Sequence, residues 1–320
     1  MSDHKPKKIL VIKLSALGDF AQALGPMAAI RRHHQGAHIT LMTTKMFQGF
    51  AQDCGYFDDI WIHDRPHWMQ PLQWLALRNK LNADQYDCVY DLQNNDRTSF
   101  YLRLFKTQPQ SFSTVANATH RNTVSDRRND HAYDRHVQTL KLAGIHDVAV
   151  DRFDWVQADT ARFNIKSPYI LFIPGSSPQH PYKRWPVDSY GKLAKILVQR
   201  GYNIVILGTD IERDLAAQIK LIEPSCVDLT GRSSLYDVIA LGRDAAACVG
   251  NDSGPTQLIA PTGCPVIALY SGHSNPVQHR PLGSGVLTLQ ENDIADISVE
   301  TVLSNLKLDA GTDTAPSKTG

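Results

Sequence analysis

The chain lacks most of the short signatures that announce a reaction. It has neither a GxxxxGK[ST] phosphate loop nor a GxGxxG fingerprint, which speaks against a P-loop NTPase and a nicotinamide enzyme. Its 13 histidines include no HExxH, and His131 and His136 stand five apart, a spacing that does not put both on one helical face for a metal. The five cysteines, Cys54, Cys88, Cys226, Cys248 and Cys264, are scattered without a CxxC pair, so neither a disulfide framework nor a zinc site is expected. Cys88 and Cys248 fall inside apolar runs and read as buried, inert thiols. Charge of one sign is also missing. Lys and Arg number 33 against 32 Asp and Glu, a net of +1, so no global field points to nucleic acid or a membrane surface, and any basic patch must be local. No run approaches the ~20 apolar residues that cross a bilayer. The N-terminal MSDHKPKKILVIKL lacks the long apolar region and cleavage site of a signal peptide. A soluble, cytoplasmic protein is the expectation.

What is present is α/β alternation. With 320 residues, 42% apolar, two domains of ordinary size are the natural division. KILVIKL, AHITLMTT, DDIWIH and YDCVYDL alternate with helical patterns in the first half. PYILFIPG restarts the rhythm at 168–175, followed by a helix from about Val187 to Gln199, NIVILG, a helix beginning near Ile211, CVDLTG, AAACVG and PVIALY. Each half therefore predicts its own doubly wound, Rossmann-like parallel sheet. The polar stretch Asp159 to Ser167 separates them, giving domains over 1–160 and 166–308. The small, polar tail 309–320 is expected to be disordered.

From Thr107 to Asp134 the apolar periodicity fades and Ser, Thr, Asn and Arg dominate, which predicts a long loop or partly ordered insertion. Across Arg97 to Lys141 eight basic residues (Arg97, Arg103, Lys106, Arg121, Arg127, Arg128, Arg135, Lys141) face three acids (Asp126, Asp130, Asp134), a local balance of +5. Either this is a solvated loop or it is a platform for phosphates or carboxylates, which Arg suits by its fork geometry.

Four clusters carry types of residue that do chemistry. In AAACVGNDSGPTQLIAPTGCPVIALY, Gly250, Ser253 and Gly254 remove side-chain bulk where a strand hands over to a helix, so that backbone N–H groups can face an anion. Asp252 adds an acceptor and Ser253 a hydroxyl; the plainer reading is a tight turn with one of them as N-cap. In KLSALGDF, Asp19 follows the first strand at the carboxyl end of a parallel sheet, where open α/β folds bind ligands. Gly18 allows close approach there, and Asp19 is either a first-turn carboxylate favoured by the helix dipole or a general base toward a hydroxyl. In PGSSPQHPYKRWP, Lys183 and Arg184 precede Pro186, a good first helical residue, so their charges oppose the helix dipole unless an anion lies between. In LGTDIERD, Glu212 either accepts from a ribose hydroxyl or favours the helix start.

In this order, over nearly the whole chain, these clusters resemble the ADP-heptose:lipopolysaccharide heptosyltransferases, glycosyltransferase family 9. The resemblance rests on Ser15 to Asp19, Asp91-Leu92-Gln93, His131 to Arg135 opening HAYDRHVQTLKLAG, PGSS with KRWP, LGTDIERD, LTGRSSL, and GNDSGPTQL with APTGCPVIALY. It implies a GT-B architecture, two Rossmann-like domains facing a central cleft, with acceptor on the amino half and nucleotide sugar on the carboxyl half. The implied reaction is inverting transfer of a heptose from ADP-heptose to a hydroxyl of the lipopolysaccharide inner core. By position, Asp19 is then the general base and Lys183 the cation that offsets charge on the departing diphosphate. Ser176, Ser177, Ser253 and Gly254 contact the phosphates, with Asp252 and Gln257 beside them, and Glu212 the ribose. Ser15, Gly18, Gln93, Arg121 and Arg135 serve the acceptor. The ADP-sugar is a co-substrate, the sequence requires no cofactor or metal, and a lipid-linked acceptor implies transient association with the inner membrane; no nucleic-acid partner is expected.

One departure bears on the donor. The family commonly has a histidine three residues beyond the glycine of its D-[ST]-G motif, and here that position is Gln257, which bonds in both senses but carries no proton charge. Two other readings stand beside the transferase: a nucleotide-sugar 2-epimerase, which shares a DSG turn followed by a Gln-containing helix, and a non-catalytic family member that binds a nucleotide sugar. Ser15 to Asp19 distinguishes the chain from the former, and retention of Asp19 and Lys183 from the latter.

Overall fold

The computed structural model describes residues 7–126 and 129–308. The tail 309–320, and Arg127 and Arg128 of the basic stretch, lie outside the described residues. The chain divides into two compact units, one running to Val156 and including Val277–His279, the other running from Gln157 to Pro276 and resuming at Arg280.

The first unit is built on β1 (Lys8–Ile12), β2 (His38–Thr43), β3 (Asp59–Ile62), β4 (Cys88–Asp91), β5 (Gln110–Ser113) and β6 (His120–Arg121), with α1 (Leu17–His33), α2 (Gln48–Asp53), α3 (Pro71–Ala83), α4 (Asp96–Leu102) and α5 (Ala132–Lys141). The second holds β7 (Tyr169–Ile173), β8 (Asn203–Ile206), β9 (Val227–Asp228), β10 (Ala247–Asn251), β11 (Val266–Ser271) and β12 (Val286–Glu291). The later helices in chain order are α6 (Val187–Gln199), α7 (Arg213–Ile222), α8 (Leu235–Asp244), α9 (Gly254–Ile259), α10 (Pro276–His279) and α11 (Val299–Asn305). The sheets run β3-β2-β1-β4-β5-β6 and β12-β11-β10-β7-β8-β9, parallel throughout. Counted within each unit the order is the same, and the direction of winding reverses between β1 and β4 and between β7 and β10. A doubly wound sheet opens its ligand crevice beyond the carboxyl ends of those two strands.

Helices cover both faces, so the central strands are apolar without alternation. YILFI of β7 and ACVGN of β10 are buried at every position. Around β7, Trp185, Tyr190, Leu193 and Leu197 build the second unit's core with Phe172 and Val249; Tyr190, Leu193, Ala194 and Leu197 recur at the spacing of one helical face of α6. In the first unit, Leu10, Ile12 and Val89 pack with Leu77, Leu81 and Tyr101. Gly25 lets α1 press on the 149–151 segment: a Cβ there would lie 2.1 Å from the Ala149 carbonyl oxygen. All five cysteines are free and buried, and burial pushes Cys54, Cys88, Cys226 and Cys264 up to about 12.

One expectation is narrowed and another needs correction. Of the two readings of 107–134, the partly ordered one holds and the long loop does not, because β5 and β6 lie within it and extend the first sheet. Their sequences, QSFS and HR, give no apolar pattern. Side chains hold them: the Ser111 and Thr119 amides each donate to the other's hydroxyl at 2.8 Å. Pro186 is the N-cap of α6, at ψ 136°, and not its first helical residue; beside it the buried indole N–H of Trp185 donates to the Ile297 carbonyl at 2.8 Å. Among the described residues no helix is long and apolar enough to cross a membrane.

Candidate active site

In the first unit, β1 ends before Ser15, whose peptide bond to Ala16 is cis. Asp19 is the third residue of α1, and its Oδ2 accepts from the Ala16 amide at 3.2 Å. The first-turn role is therefore occupied by one carboxylate oxygen, while the side chain stays half-buried. Gln93 is placed differently from the expectation of a simple acceptor contact. Its Oε1 accepts from the Leu14 amide at 2.7 Å and the Ser15 amide at 3.0 Å, which ties the end of β1 to the turn after β4. Only its amide NH2 remains for a ligand.

Beneath these lies a buried polar cluster of which the sequence marks only Asp91 and Gln93, through the family resemblance, and not their partners. Asp91 is fully buried and accepts from Thr98 at 2.8 Å, Ser113 at 3.0 Å and the amides of Gln93 and Asn94 at 3.0 and 3.2 Å. Burial raises its pKa above the ordinary carboxylate value, and those hydrogen bonds oppose the rise. Lys13 is buried as well and donates to the Leu92 carbonyl at 3.1 Å. Burial lowers its ammonium, with Asp19 and Asp91 pulling the other way. Asn94, in the left-handed region at φ 56°, accepts with one Oδ1 from the Ser113 hydroxyl, the Thr114 amide and the Thr114 hydroxyl at 2.8 to 3.0 Å. A strand-end DxQNN run is the signal that could have found this cluster, since short polar side chains after a buried strand must satisfy backbone groups there.

Asn94 of that cluster borders a cavity of about 540 Å³ lined also by Asn95, Asp96, Ser99, Thr114, Thr123, Ser125, Arg121 and Arg135 among others. The structure thus brings Arg121 and Arg135 together. Ser15, Gly18 and Gln93 are not part of its wall. Arg121 is exposed and steadied by the Thr114 carbonyl at 3.2 Å, which leaves a guanidinium edge for an anion or sugar hydroxyl.

In the second unit, Ser176, Ser177, Thr209, Glu212, Ser253 and Gly254 line one recess of about 160 Å³ with an apolar floor of Leu207, Leu235 and Val238. An apolar floor with hydroxyls and a helix end at its rim fits a flat base joined to a charged tail. Glu212 is buried and its Oε2 caps the helix start, accepting from the Thr209 amide at 2.8 Å and hydroxyl at 2.6 Å. Lys183 and Asp252 lie beside each other and not in the recess wall, with Nζ 2.7 Å from Oδ2. Ser274 donates to the same oxygen at 3.0 Å. The negative charge that balances Lys183 is therefore supplied by the chain itself. Arg184 donates from Nε and Nη2 to the Ser176 hydroxyl and carbonyl, both at 3.2 Å, which fixes the PGSS turn. Gln257 is buried in α9, away from the recess wall.

Gly250 has a different use from the one expected. Its absent Cβ would meet the Thr256 hydroxyl at 2.5 Å and Ile173 at 3.0 Å, so the glycine makes room for the turn to fold against its own strand. Asn251 is the residue that sequence reasoning missed here. Fully buried, it donates to the Pro174 carbonyl at 2.8 Å and accepts from the Trp185 amide and the Tyr190 hydroxyl at 3.1 and 3.2 Å. One amide thus joins the PGSS turn, the KRWP turn and the DSG turn. Among the described residues no group of His, Cys, Asp and Glu side chains is disposed to hold a metal.

A model of the family "Glycosyltransferase family 9 (heptosyltransferase)" matches residues 74–306. The chain is 24% identical over 307 residues to the lipopolysaccharide core heptosyltransferase OpsX of Haemophilus influenzae, covering 90% of this chain and 86% of that protein. Among solved structures, a family 9 glycosyl transferase from Veillonella parvula superposes with a TM-score of 0.79 at 22% identity, over 93% of this chain and 95% of that one. E. coli heptosyltransferase WaaC with ADP superposes with a TM-score of 0.71 at 17% identity, over 93% and 98%. The two structural likenesses establish the GT-B, two-domain α/β fold.

Proposed function

The chain belongs to glycosyltransferase family 9, the heptosyltransferases, and from that premise we propose that it moves a heptose from ADP-heptose to a hydroxyl of a lipopolysaccharide core acceptor, with inversion at the sugar. The observation that carries the donor half is the second unit's recess, where Ser176, Ser177, Glu212, Ser253 and Gly254 converge over an apolar floor. Adenine takes the floor. Glu212 reaches the ribose through Oε1, since Oε2 holds Thr209. The diphosphate lies toward Ser253, Gly254 and Lys183.

The acceptor half rests on Asp19 and the basic cavity of the first unit. Asp19 takes the proton from the attacking hydroxyl as the new C1–O bond forms. The C1–O bond to the β-phosphate breaks, ADP departs, and its growing charge meets Lys183 and the amides at the start of α9. Asp252 positions Lys183 before the donor arrives. Gln257, buried in α9 outside the recess wall, puts a neutral amide where the family commonly has histidine, so donor charge falls more heavily on Lys183. Arg121 and Arg135 hold anionic or hydroxyl-rich acceptor groups. Lipid linkage of the acceptor implies work at the inner-membrane surface.

The test is ADP release from ADP-heptose with and without lipopolysaccharide core acceptor, paired with titrations of ADP, UDP and GDP by thermal shift. Release that needs acceptor, with selective stabilisation by ADP compounds, is the expected result. Release without acceptor points to hydrolytic or epimerase chemistry, selective stabilisation by UDP to another donor, and binding without release to a non-catalytic member.

A further inference from the structure

Large apolar side chains stand exposed on one part of the first unit. Trp68 is 76% exposed, Met69 63% and Leu72 80%, with Leu75 at 49% and Phe100 at 43%. They belong to the β3–α3 connection, the first two turns of α3, and α4. Helix α3 turns Leu77 and Leu81 into the core. Leu72, Leu75 and Ala76 fall at the three- and four-residue spacing of another face, which is exposed. A helix apolar on two faces wants a second apolar medium beside the core. The half-buried Trp74 meets Phe100 edge to face at 5.2 Å, and with Trp68 they line an open depression of about 510 Å³.

Charge identifies the medium. From Arg65 to Ala83 the sequence has no acidic residue and carries Arg65, Arg78 and Lys80. Arg78 forms no ion pair among the described residues and stands one turn from Leu75; Asp96 is the acid at the border. Self-pairing of this face about a two-fold axis would gather both copies' Arg78 and Lys80 in one interface with no acid from the 65–83 stretch to balance them. An anionic bilayer meets both properties: acyl chains take Leu72 and Met69, the headgroup boundary takes Trp68, and lipid phosphates take the cations.

The patch also has the right place. The connection that carries Trp68 follows β3, at the carboxyl edge of the sheet, and Arg65 within it donates to the Leu14 carbonyl, just before Ser15. Asp96 borders both the apolar depression and the polar cavity of Arg121 and Arg135. From this continuity we infer that the face formed by Trp68, Met69, Leu72, Leu75 and Phe100 docks on an anionic lipid surface, presenting the neighbouring cavity to the head of an amphiphilic acceptor. That second clause rests on the transferase reading; the docking itself does not.

Flotation of the full chain with phosphatidylglycerol/phosphatidylcholine vesicles, against phosphatidylcholine alone, tests it. The chain is expected to float with the anionic vesicles. Trp68→Ser combined with Leu72→Ser should weaken that partition about tenfold or more. Arg78→Gln should weaken it about fivefold, and only on anionic vesicles. Partition unchanged by the Trp68/Leu72 pair, or no partition at all, overturns the inference. So does a change from dimer to monomer in sedimentation without a change in flotation, which assigns the face to a second copy. Transfer to a delipidated, water-soluble core oligosaccharide should be the same in the Trp68/Leu72 variant and the parent. Failure of the parent on every acceptor sinks the transferase reading and leaves the vesicle result standing.

Discussion

The two units share one strand order and differ in what stands at the point where the winding reverses. Beyond β1 and β4 the first unit places a buried polar framework: Gln93 latches the β1 turn, Asp91 gathers four donors, and Asn94 holds the 113–114 segment. Beyond β7 and β10 the second unit places a single clamp, Asn251, over an apolar floor with an ion pair beside it. The same topology therefore builds a rigid polar shelf in one unit and an apolar slot with a poised charge in the other. Sheet order fixes where a ligand can sit, and the side chains one or two residues past the strand ends fix what kind.

The largest expected effect separates the two units directly. Asp19→Ala should lower turnover about 10²- to 10⁴-fold while ADP affinity stays within a few fold, because Asp19 and the donor recess belong to different units. A matching loss of ADP binding in calorimetry would remove Asp19 from the acceptor side. Lys183→Ala should weaken ADP binding and lower turnover together, by about 10²-fold in kcat/KM; an unchanged kcat/KM would exclude Lys183 from the site.

Asn251→Ala addresses the clamp. It leaves the Trp185 amide and the Pro174 carbonyl without their partner and the Tyr190 hydroxyl with the Ile173 carbonyl alone, so unfolding free energy should fall by about 3 kcal/mol in urea denaturation. A loss under 1 kcal/mol by the same measurement, about the worth of one ordinary hydrogen bond, would show that the three turns hold themselves.

The smallest effect concerns acid. Burial lowers His34 and His63 to about 4 and His136 well below its ordinary value, and all three lie in the first unit. A depressed folded value means that the unfolded chain binds the proton first. The stability these histidines give is therefore complete above about 6.5, the unfolded value, and is lost as pH falls from there toward about 4. The midpoint of denaturation should drop over that window, and His63→Gln should flatten the drop. An equal slope in the His63→Gln variant would assign the acid sensitivity elsewhere.

How much could be read beforehand follows the same division. KILVI, YILFI and ACVGN were legible because parallel strands covered on both faces must be apolar throughout, and α6 because its buried residues keep helical spacing. The DSG turn and the PGSS turn were legible as a pair because small and hydroxyl residues cluster after such strands. β5 and β6 were not, since QSFS and HR owe their extended form to Ser111, Thr119 and Asn94 and to no pattern of their own. Asn251 was hidden because an asparagine in a turn usually serves its own backbone, whereas this one serves two other turns 66 and 77 residues earlier in the chain. Gly250 stands where a strand-to-helix turn suggests a ligand, whereas the atom nearest its missing Cβ is the Thr256 hydroxyl.

The pairing of Lys183 with Asp252 has a consequence for selectivity. A bare ammonium at the rim of an open slot would gather whichever small anion was most abundant, and occupancy by orthophosphate would compete with the donor at every encounter. With Asp252 2.7 Å away, the pair itself is neutral, and a lone phosphate would gain little by displacing a carboxylate. On the proposed transferase reading, a nucleotide sugar would bring its base and ribose to the slot as well, and that combined gain would outweigh the internal partner. Discrimination against the crowd of simple phosphates would in this way be set before any contact with the sugar is made.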